Sequence, residues 1–76
     1  MSDAASPDAE LFLFETTHHA LWAEDVARER ELPAEVVPAP AAAKAKCGLA
    51  LRTLPHLRPA LAQALDGEGI AFRLYP

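Results

Sequence analysis

Apolar and polar residues follow two different spacings along the chain, and the order of the two spacings predicts the fold. Short apolar segments predict four strands, over residues 10–15, 35–37, 47–53 and 70–75. The first segment is Leu-Phe-Leu-Phe between two acids, which is typical of a strand buried on both faces. Two longer segments repeat apolar residues every three or four positions, and they predict helices that pack on one side.

The first predicted helix covers residues 18–31. Thr16-Thr17 supplies its N-cap, because a threonine hydroxyl can accept hydrogen bonds from the free amides of the first turn. The residue before Pro33 is disfavoured in a helix, so the helix should end there. The face expected to point into the core is formed by Ala20, Ala23, Val26 and Ala27.

The second predicted helix starts near residues 56–58, because Pro59 is tolerated only in a first turn. Gly67 and Gly69 are natural stop residues at its C-terminal end. Its inward face should consist of Leu57, Leu61 and Leu65, with Ala60 and Ala64 beside them.

The resulting order is strand, helix, strand, strand, helix, strand. In so short a chain this order predicts an α+β fold, the ferredoxin-like βαββαβ sandwich, with a four-stranded antiparallel sheet and two helices on one face. Strands one and three should be the central pair. We expect residues 1–9 to form a disordered acidic tail and residues 10–76 to form a single ferredoxin-like domain.

Composition excludes several classes of protein. The chain has 11 acidic and 7 basic residues and a net charge of −4, which argues against a nucleic-acid binder. No apolar run approaches the roughly 20 residues that cross a bilayer, and the N-terminus lacks a signal-peptide pattern. We therefore expect a cytoplasmic protein with no membrane partner. Its single cysteine allows no internal disulfide.

That cysteine is the main candidate for chemistry. Cys47 follows a loop that is stiffened by Pro38 and Pro40 and carries Lys44 and Lys46, so we expect its thiol to be accessible. In the predicted topology this loop lies at the same end of the sheet as the start of the first helix. The partial positive charge of a helix N-terminus, together with the lysines, would favour the nucleophilic thiolate.

The Thr16-Thr17-His18-His19 turn should therefore lie beside Cys47. Adjacent side chains on a helix point about 100° apart, so at most one of the two histidines can act with the thiol. His56 belongs to the opposite end of the sheet.

Two segments resemble a known family. Thr-His-His-Ala-Leu-x-Ala-Glu, and Pro-x-Pro followed six residues later by Cys-Gly-Leu-Ala-Leu-Arg, are similar to the small bacterial family of putative selenium/sulfur carrier-like proteins, over about residues 11–75. The resemblance implies a carrier thiol at Cys47. The supporting residues would be Gly48, Lys44, Lys46, Thr16, Thr17, His18, His19, Pro38 and Pro40.

The loop departs from the family pattern, which usually has a polar residue after the second proline and serines before the cysteine. Here these places hold Ala41 and then Lys44, Ala45 and Lys46. If the serines ordinarily hydrogen-bond a bound group, that function is missing here. If the serines only shape the loop, the lysines can substitute for them by supplying charge.

Three functions remain open at this point. The first is a sulfur or selenium carrier that is not an enzyme, needs no cofactor, and exchanges its cargo with donor and acceptor proteins. The second is a module that handles a soft metal ion through Cys47 and one of His18 or His19, although structural zinc almost always takes four ligands. The third is a regulatory or interaction domain. A homodimer is compatible with all three.

Overall fold

The structure is a computed structural model and describes residues 11–75. The tail predicted over residues 1–9 lies outside the described residues. The helices are α1 (Thr17–Glu29) and α2 (Arg58–Glu68), and the strands are β1 (Leu11–Leu13), β2 (Ala34–Pro38), β3 (Leu49–Thr53) and β4 (Arg73–Tyr75). Short 3₁₀ turns at Ala41–Ala43 and Pro55–Leu57 precede β3 and α2 respectively.

The four strands form one sheet in the order β2-β3-β1-β4, and every neighbouring pair is antiparallel. Leu13 of β1 lies opposite Ala50 of β3 and opposite Arg73 of β4. This topology confirms the predicted ferredoxin-like α+β fold, with β1 and β3 in the centre. The loop after β2 and the start of α1 consequently lie at the same end of the sheet.

The central strand β1 is buried on both faces, as its apolar run predicts. Phe12 and Phe14 belong to the main core beneath the helices, and Leu13 belongs to a smaller cluster on the other face. Phe72 packs against Phe12 with ring centroids 5.0 Å apart. Both faces of the sheet are therefore covered near the end where the candidate thiol lies.

The smaller cluster exists because the loop after β2 folds over the face that the helices leave open. The 3₁₀ turn Ala41–Ala43 brings Ala43 against this face, where it is buried together with Leu13 and Ala50. Val37 and Tyr75 pack around these residues. The segment over residues 39–46 is predicted as a loop whose alanines could form a helical turn, and it contains such a turn, which covers this face of the sheet.

Helix α1 buries the four predicted residues Ala20, Ala23, Val26 and Ala27. Leu21 and Trp22, beside them in the sequence, are exposed. The helix ends where Leu32 N–H donates to Ala27 C=O at 2.8 Å and Glu31 N–H donates to Arg28 C=O at 3.1 Å. These two bonds define a Schellman motif, and they require Glu31 to adopt the left-handed φ of 59°.

Helix α2 ends in the same motif. Ile70 N–H donates to Leu65 C=O, and Gly69 N–H donates to Asp66 C=O, both at 3.0 Å. Gly69 therefore has the predicted stop role, whereas Gly67 still lies inside the helix. Pro59 stands in the first turn, as predicted.

Two details of the helix faces and strand ends differ from the prediction. On α2, Leu61, Ala64 and Leu65 are buried, but Ala60 is exposed and Leu57 is only half-buried, because Leu57 belongs to the preceding 3₁₀ turn. Strands β3 and β4 are shorter than predicted and begin at Leu49 and Arg73 respectively. No helix within residues 11–75 is long and apolar enough to cross a membrane.

Candidate functional site

Cys47 lies in a bend between the 3₁₀ turn and β3, one residue before Gly48. Its side chain exposes only 6% of its surface and belongs to the main core cluster, together with Phe14 and Leu51. The expectation of an accessible thiol is therefore wrong for the folded state. Alternation along the chain explains this burial, because Cys47, Leu49 and Leu51 all point to the helix-covered side of the sheet.

The backbone beside the thiol is accessible even though the thiol is not. Lys46 and Gly48 flank Cys47 and are both exposed. A Cβ atom placed on Gly48 would meet no heavy atom within 4 Å. The Cys47 Sγ–H donates to the Leu49 carbonyl oxygen at 3.1 Å, so the thiol is held by a hydrogen bond to a residue only two positions away.

The N-terminus of α1 lies at the same end of the sheet, as predicted. Thr16 is the N-cap, and its Oγ1 accepts from His19 N–H at 3.1 Å. The same hydroxyl lies 2.8 Å from His19 Nδ1. The His19 ring also stacks on Trp22, with the ring centroids 6.3 Å apart. His19 is thus engaged in capping its own helix.

Neither histidine is a partner of the thiol. Within residues 11–75, no hydrogen bond joins Cys47 to His18 or His19, and none joins it to Lys44 or Lys46. His18 is exposed, and Thr17 is an exposed first residue of α1. Within the predicted turn, Thr16 contacts His19, and the rings of His18 and His19 lie edge to face with their centroids 6.3 Å apart.

The two loop lysines face away from the thiol. Lys46 Nζ forms an ion pair with Glu15 Oε1 at 3.2 Å, and the two side chains are 73% and 62% exposed. This ion pair joins the residue before Cys47 to the residue before the helix cap Thr16. Lys44 is the exposed left-handed residue that closes the 3₁₀ turn, with φ 53°.

The two prolines lie on either side of Ala39, the residue that is hydrogen-bonded to Gly48. Pro38 is the last residue of β2, and Pro40 precedes the 3₁₀ turn. Between them, Ala39 N–H donates to Gly48 C=O at 2.9 Å, which continues the β2–β3 pairing beyond the strands. Pro38, Pro40 and Gly48 therefore position the bend that carries Cys47.

Sequence reasoning missed two residues at this end of the sheet. Arg73, the first residue of β4, donates from its guanidinium to the Ala43 carbonyl oxygen at 3.0 Å and so holds the 3₁₀ turn in place. Glu15 pairs with Lys46. Glu15 could have been noticed as an acid that ends a buried strand, whereas nothing in the sequence relates Arg73 to the loop.

The arrangement offers no metal site. Across the part of the chain that the structure describes, no group of three or more His, Cys, Asp or Glu side chains is positioned to hold a metal ion. The residues that the second interpretation needs, Cys47 with His18 or His19, are not in contact. What the site does contain is one thiol, held in a bend whose neighbouring residues are exposed.

Comparison with known proteins identifies the family. The family model described as "Putative Se/S carrier protein-like" matches residues 10–76. The chain belongs to this family. Neither a curated protein nor a solved structure matches it significantly. The resemblance seen in the two sequence segments is thereby confirmed, and it extends over all the described residues.

Proposed function

We propose that this member of the Se/S carrier-like family holds a sulfane sulfur or selenium atom on Cys47 and relays it between a donor and an acceptor protein. One observation carries the proposal. Cys47 is the only thiol in the chain, and it lies within the residues that the family model matches, in a bend whose neighbouring residues Lys46 and Gly48 are exposed. A carrier in this family therefore has a single side chain on which to hold its cargo.

The transfer needs no chemistry beyond one thiol. The Cys47 thiolate attacks the outer sulfur of a donor persulfide, a new S–S bond forms, and the S–S bond of the donor breaks. The donor leaves as a thiolate, and Cys47 holds the transferred sulfur as a persulfide. Attack by an acceptor thiolate on that outer sulfur returns Cys47 to its starting form. No net oxidation or reduction occurs, so no cofactor is required.

Burial is compatible with this role when the thiol is exposed only during transfer. Local opening of a short bend costs much less free energy than global unfolding. A docked partner that contacts the exposed residues around Cys47 would favour the open form of the bend, provided that the partner binds the open form more tightly than the closed form. Between transfers, burial would slow the reaction of the persulfide with other thiols and with oxidants without abolishing it.

Intact mass spectrometry tests the proposal. The reduced protein is treated with inorganic polysulfide, desalted and weighed before and after cyanide, which removes a sulfane sulfur as thiocyanate. We expect a gain of one sulfur atom that cyanide reverses. The loaded protein should also transfer this sulfur to an added low-molecular-weight thiol.

Cys47→Ser is the matched control and should gain no sulfur. A wild-type protein that gains sulfur only in urea would show that the folded chain cannot load Cys47, which contradicts the carrier function. A sulfur gain that persists in Cys47→Ser would contradict the assignment of the carrier atom to this residue.

A further inference from the structure

A cleft of roughly 170 Å³ lies at the thiol end of the sheet, between the end of β1, the loop after the 3₁₀ turn and the start of β4. Cys47 does not line this cleft. Its floor is apolar and its rim is charged; its lining residues include Leu13, Phe72, Lys44, Lys46, Arg73 and Glu15. The cleft is therefore a separate feature from the bend that holds the thiol.

The rim concentrates positive charge in a chain whose net charge is −4. Three cationic side chains, those of Lys44, Lys46 and Arg73, line the cleft against one carboxylate, that of Glu15. Glu15 is already paired with Lys46. The cleft thus has an excess of positive charge even after its internal ion pair is formed.

The remaining two cations are unusual for this protein because they have no carboxylate partner. Arg28, Arg30 and Arg52 each form an ion pair with an acid elsewhere on the surface. Within residues 11–75, Lys44 and Arg73 form none. Both of these cations line the same cleft. A negatively charged ligand bound there would pair with them.

The geometry restricts the size and kind of ligand. Arg73 is anchored, since its guanidinium donates to the Ala43 carbonyl at 3.0 Å, and its remaining donors keep a fixed position at the rim. Lys44 is held on a turn with a left-handed backbone. A volume of roughly 170 Å³ is below the ~300–1,000 Å³ of pockets for drug-sized ligands. The space suits a small anion.

We propose that this cleft binds a small free oxyanion, of the sulfate, thiosulfate or phosphate type, between Lys44, Lys46 and Arg73. An oxyanion presents several acceptor oxygens, which match a planar guanidinium and two ammonium groups. The site goes beyond the carrier function, because it uses none of the atoms of Cys47 and would bind its ligand in a chain without a thiol.

The test is a titration of the full chain with sodium sulfate, followed in backbone amide NMR spectra, with sodium chloride at matched ionic strength as the reference. We expect saturable shifts at residues 44–46 and 73 that chloride does not reproduce. Lys44→Gln and Arg73→Gln should each weaken sulfate binding by up to about fivefold, the equivalent of about 1 kcal/mol for an exposed charge pair.

Arg52→Gln is the matched control, because it removes the same charge from a side chain that is paired with Glu35 outside the cleft. Its sulfate affinity should stay within a factor of about two of the wild type, as expected for a distant exposed charge. Arg73→Gln also removes the hydrogen bond to the Ala43 carbonyl and can lower stability for that reason alone. Lys44→Gln breaks no such bond, so it tests the site even where Arg73→Gln is unstable. Cys47→Ser should bind sulfate normally, which separates this site from the carrier function.

Three outcomes would overturn the proposal. Shifts that chloride reproduces would show general ionic screening, and equal weakening in Lys44→Gln and Arg52→Gln would show an unspecific charge effect. An affinity for ATP far above that for sulfate would show that the cleft serves the phosphates of a larger ligand rather than a small free anion.

Discussion

At the scale of single residues, the two helices provide a comparison within one chain. Both end in a Schellman motif, and both motifs need a left-handed residue at the C-terminal end of the helix. In α2 this residue is Gly69, with φ 79°, whereas in α1 it is Glu31, with φ 59°. A side chain with a Cβ atom is strained in this conformation, by roughly 1–2 kcal/mol. The end of α1 therefore holds strain that the end of α2 avoids.

Glu31→Gly should consequently raise the free energy of unfolding, by about 0.5–1 kcal/mol after the greater entropy of glycine in the unfolded chain is subtracted. Gly69→Ala should lower the free energy of unfolding by a similar amount. Its added Cβ would meet no atom within 4 Å, so backbone strain alone would act there. Urea unfolding midpoints measure both effects. Shifts of the same sign in the two variants would contradict the assigned backbone conformations.

At the scale of elements, the sequence predicts well wherever a repeat of apolar residues has one face to bury. The inward residues of α1 were predicted correctly because Ala20, Ala23, Val26 and Ala27 recur at helical spacing. The loop over residues 39–46 was harder to predict. Its alanines show no periodicity, and Ala43 is buried only because the sheet offers an uncovered face nearby. That burial depends on tertiary contacts, which local sequence does not encode.

Helix α2 supplies the clearest element-level test. Leu61 exposes 0% of its surface in the main core, so Leu61→Ala should lower the free energy of unfolding by about 2–5 kcal/mol. For a chain of this size that is a large share of the total stability. Leu54→Ala is the control, because Leu54 is 49% exposed and should change stability by less than about 0.5 kcal/mol. Similar urea midpoints for the two variants would mean that the face of α2 is wrongly assigned.

At the scale of the whole molecule, one end of the sheet brings together residues that lie far apart in the sequence. The topology alone predicted that Cys47 and the start of α1 would share this end, and the Lys46–Glu15 ion pair agrees with that placement. The burial of Cys47 could have been predicted, because the alternation of Cys47, Leu49 and Leu51 in the predicted third strand places all three side chains on one face. Lys44 and Arg73 line the same cleft because the loop folds over the sheet. No pattern in the sequence predicts that these two residues share a cleft.

The burial of Cys47 leads to a prediction about thiol reactivity. Iodoacetamide should modify the native protein more slowly than the unfolded chain, because the reagent must wait for the bend to open. Glu15→Gln removes the ion pair with Lys46, the residue before Cys47, and should therefore make opening of the bend easier. The rate of modification should rise by up to about fivefold, which corresponds to the upper limit of about 1 kcal/mol for an exposed ion pair.

Glu35→Gln is the control for this effect, since it breaks the exposed Arg52–Glu35 pair, which does not involve the bend. Its rate of modification should equal that of the wild type. Equal acceleration in both variants would indicate that Cys47 reacts only after global unfolding. Native and unfolded chains that react at the same rate would contradict the burial of the thiol.

Because Lys46 and Cys47 are neighbours in the chain, anion binding in the cleft and exposure of the thiol should be coupled. Lys46 lines the cleft, whereas Cys47 points into the core. A backbone rotation that exposed the thiol would also shift Lys46 relative to the cleft. An anion in the cleft would favour the closed bend, and by linkage the opening of the bend would weaken anion binding by the same factor. Partner docking and anion binding would then oppose each other, so that a carrier engaged with its partner binds the anion more weakly than an unengaged carrier does.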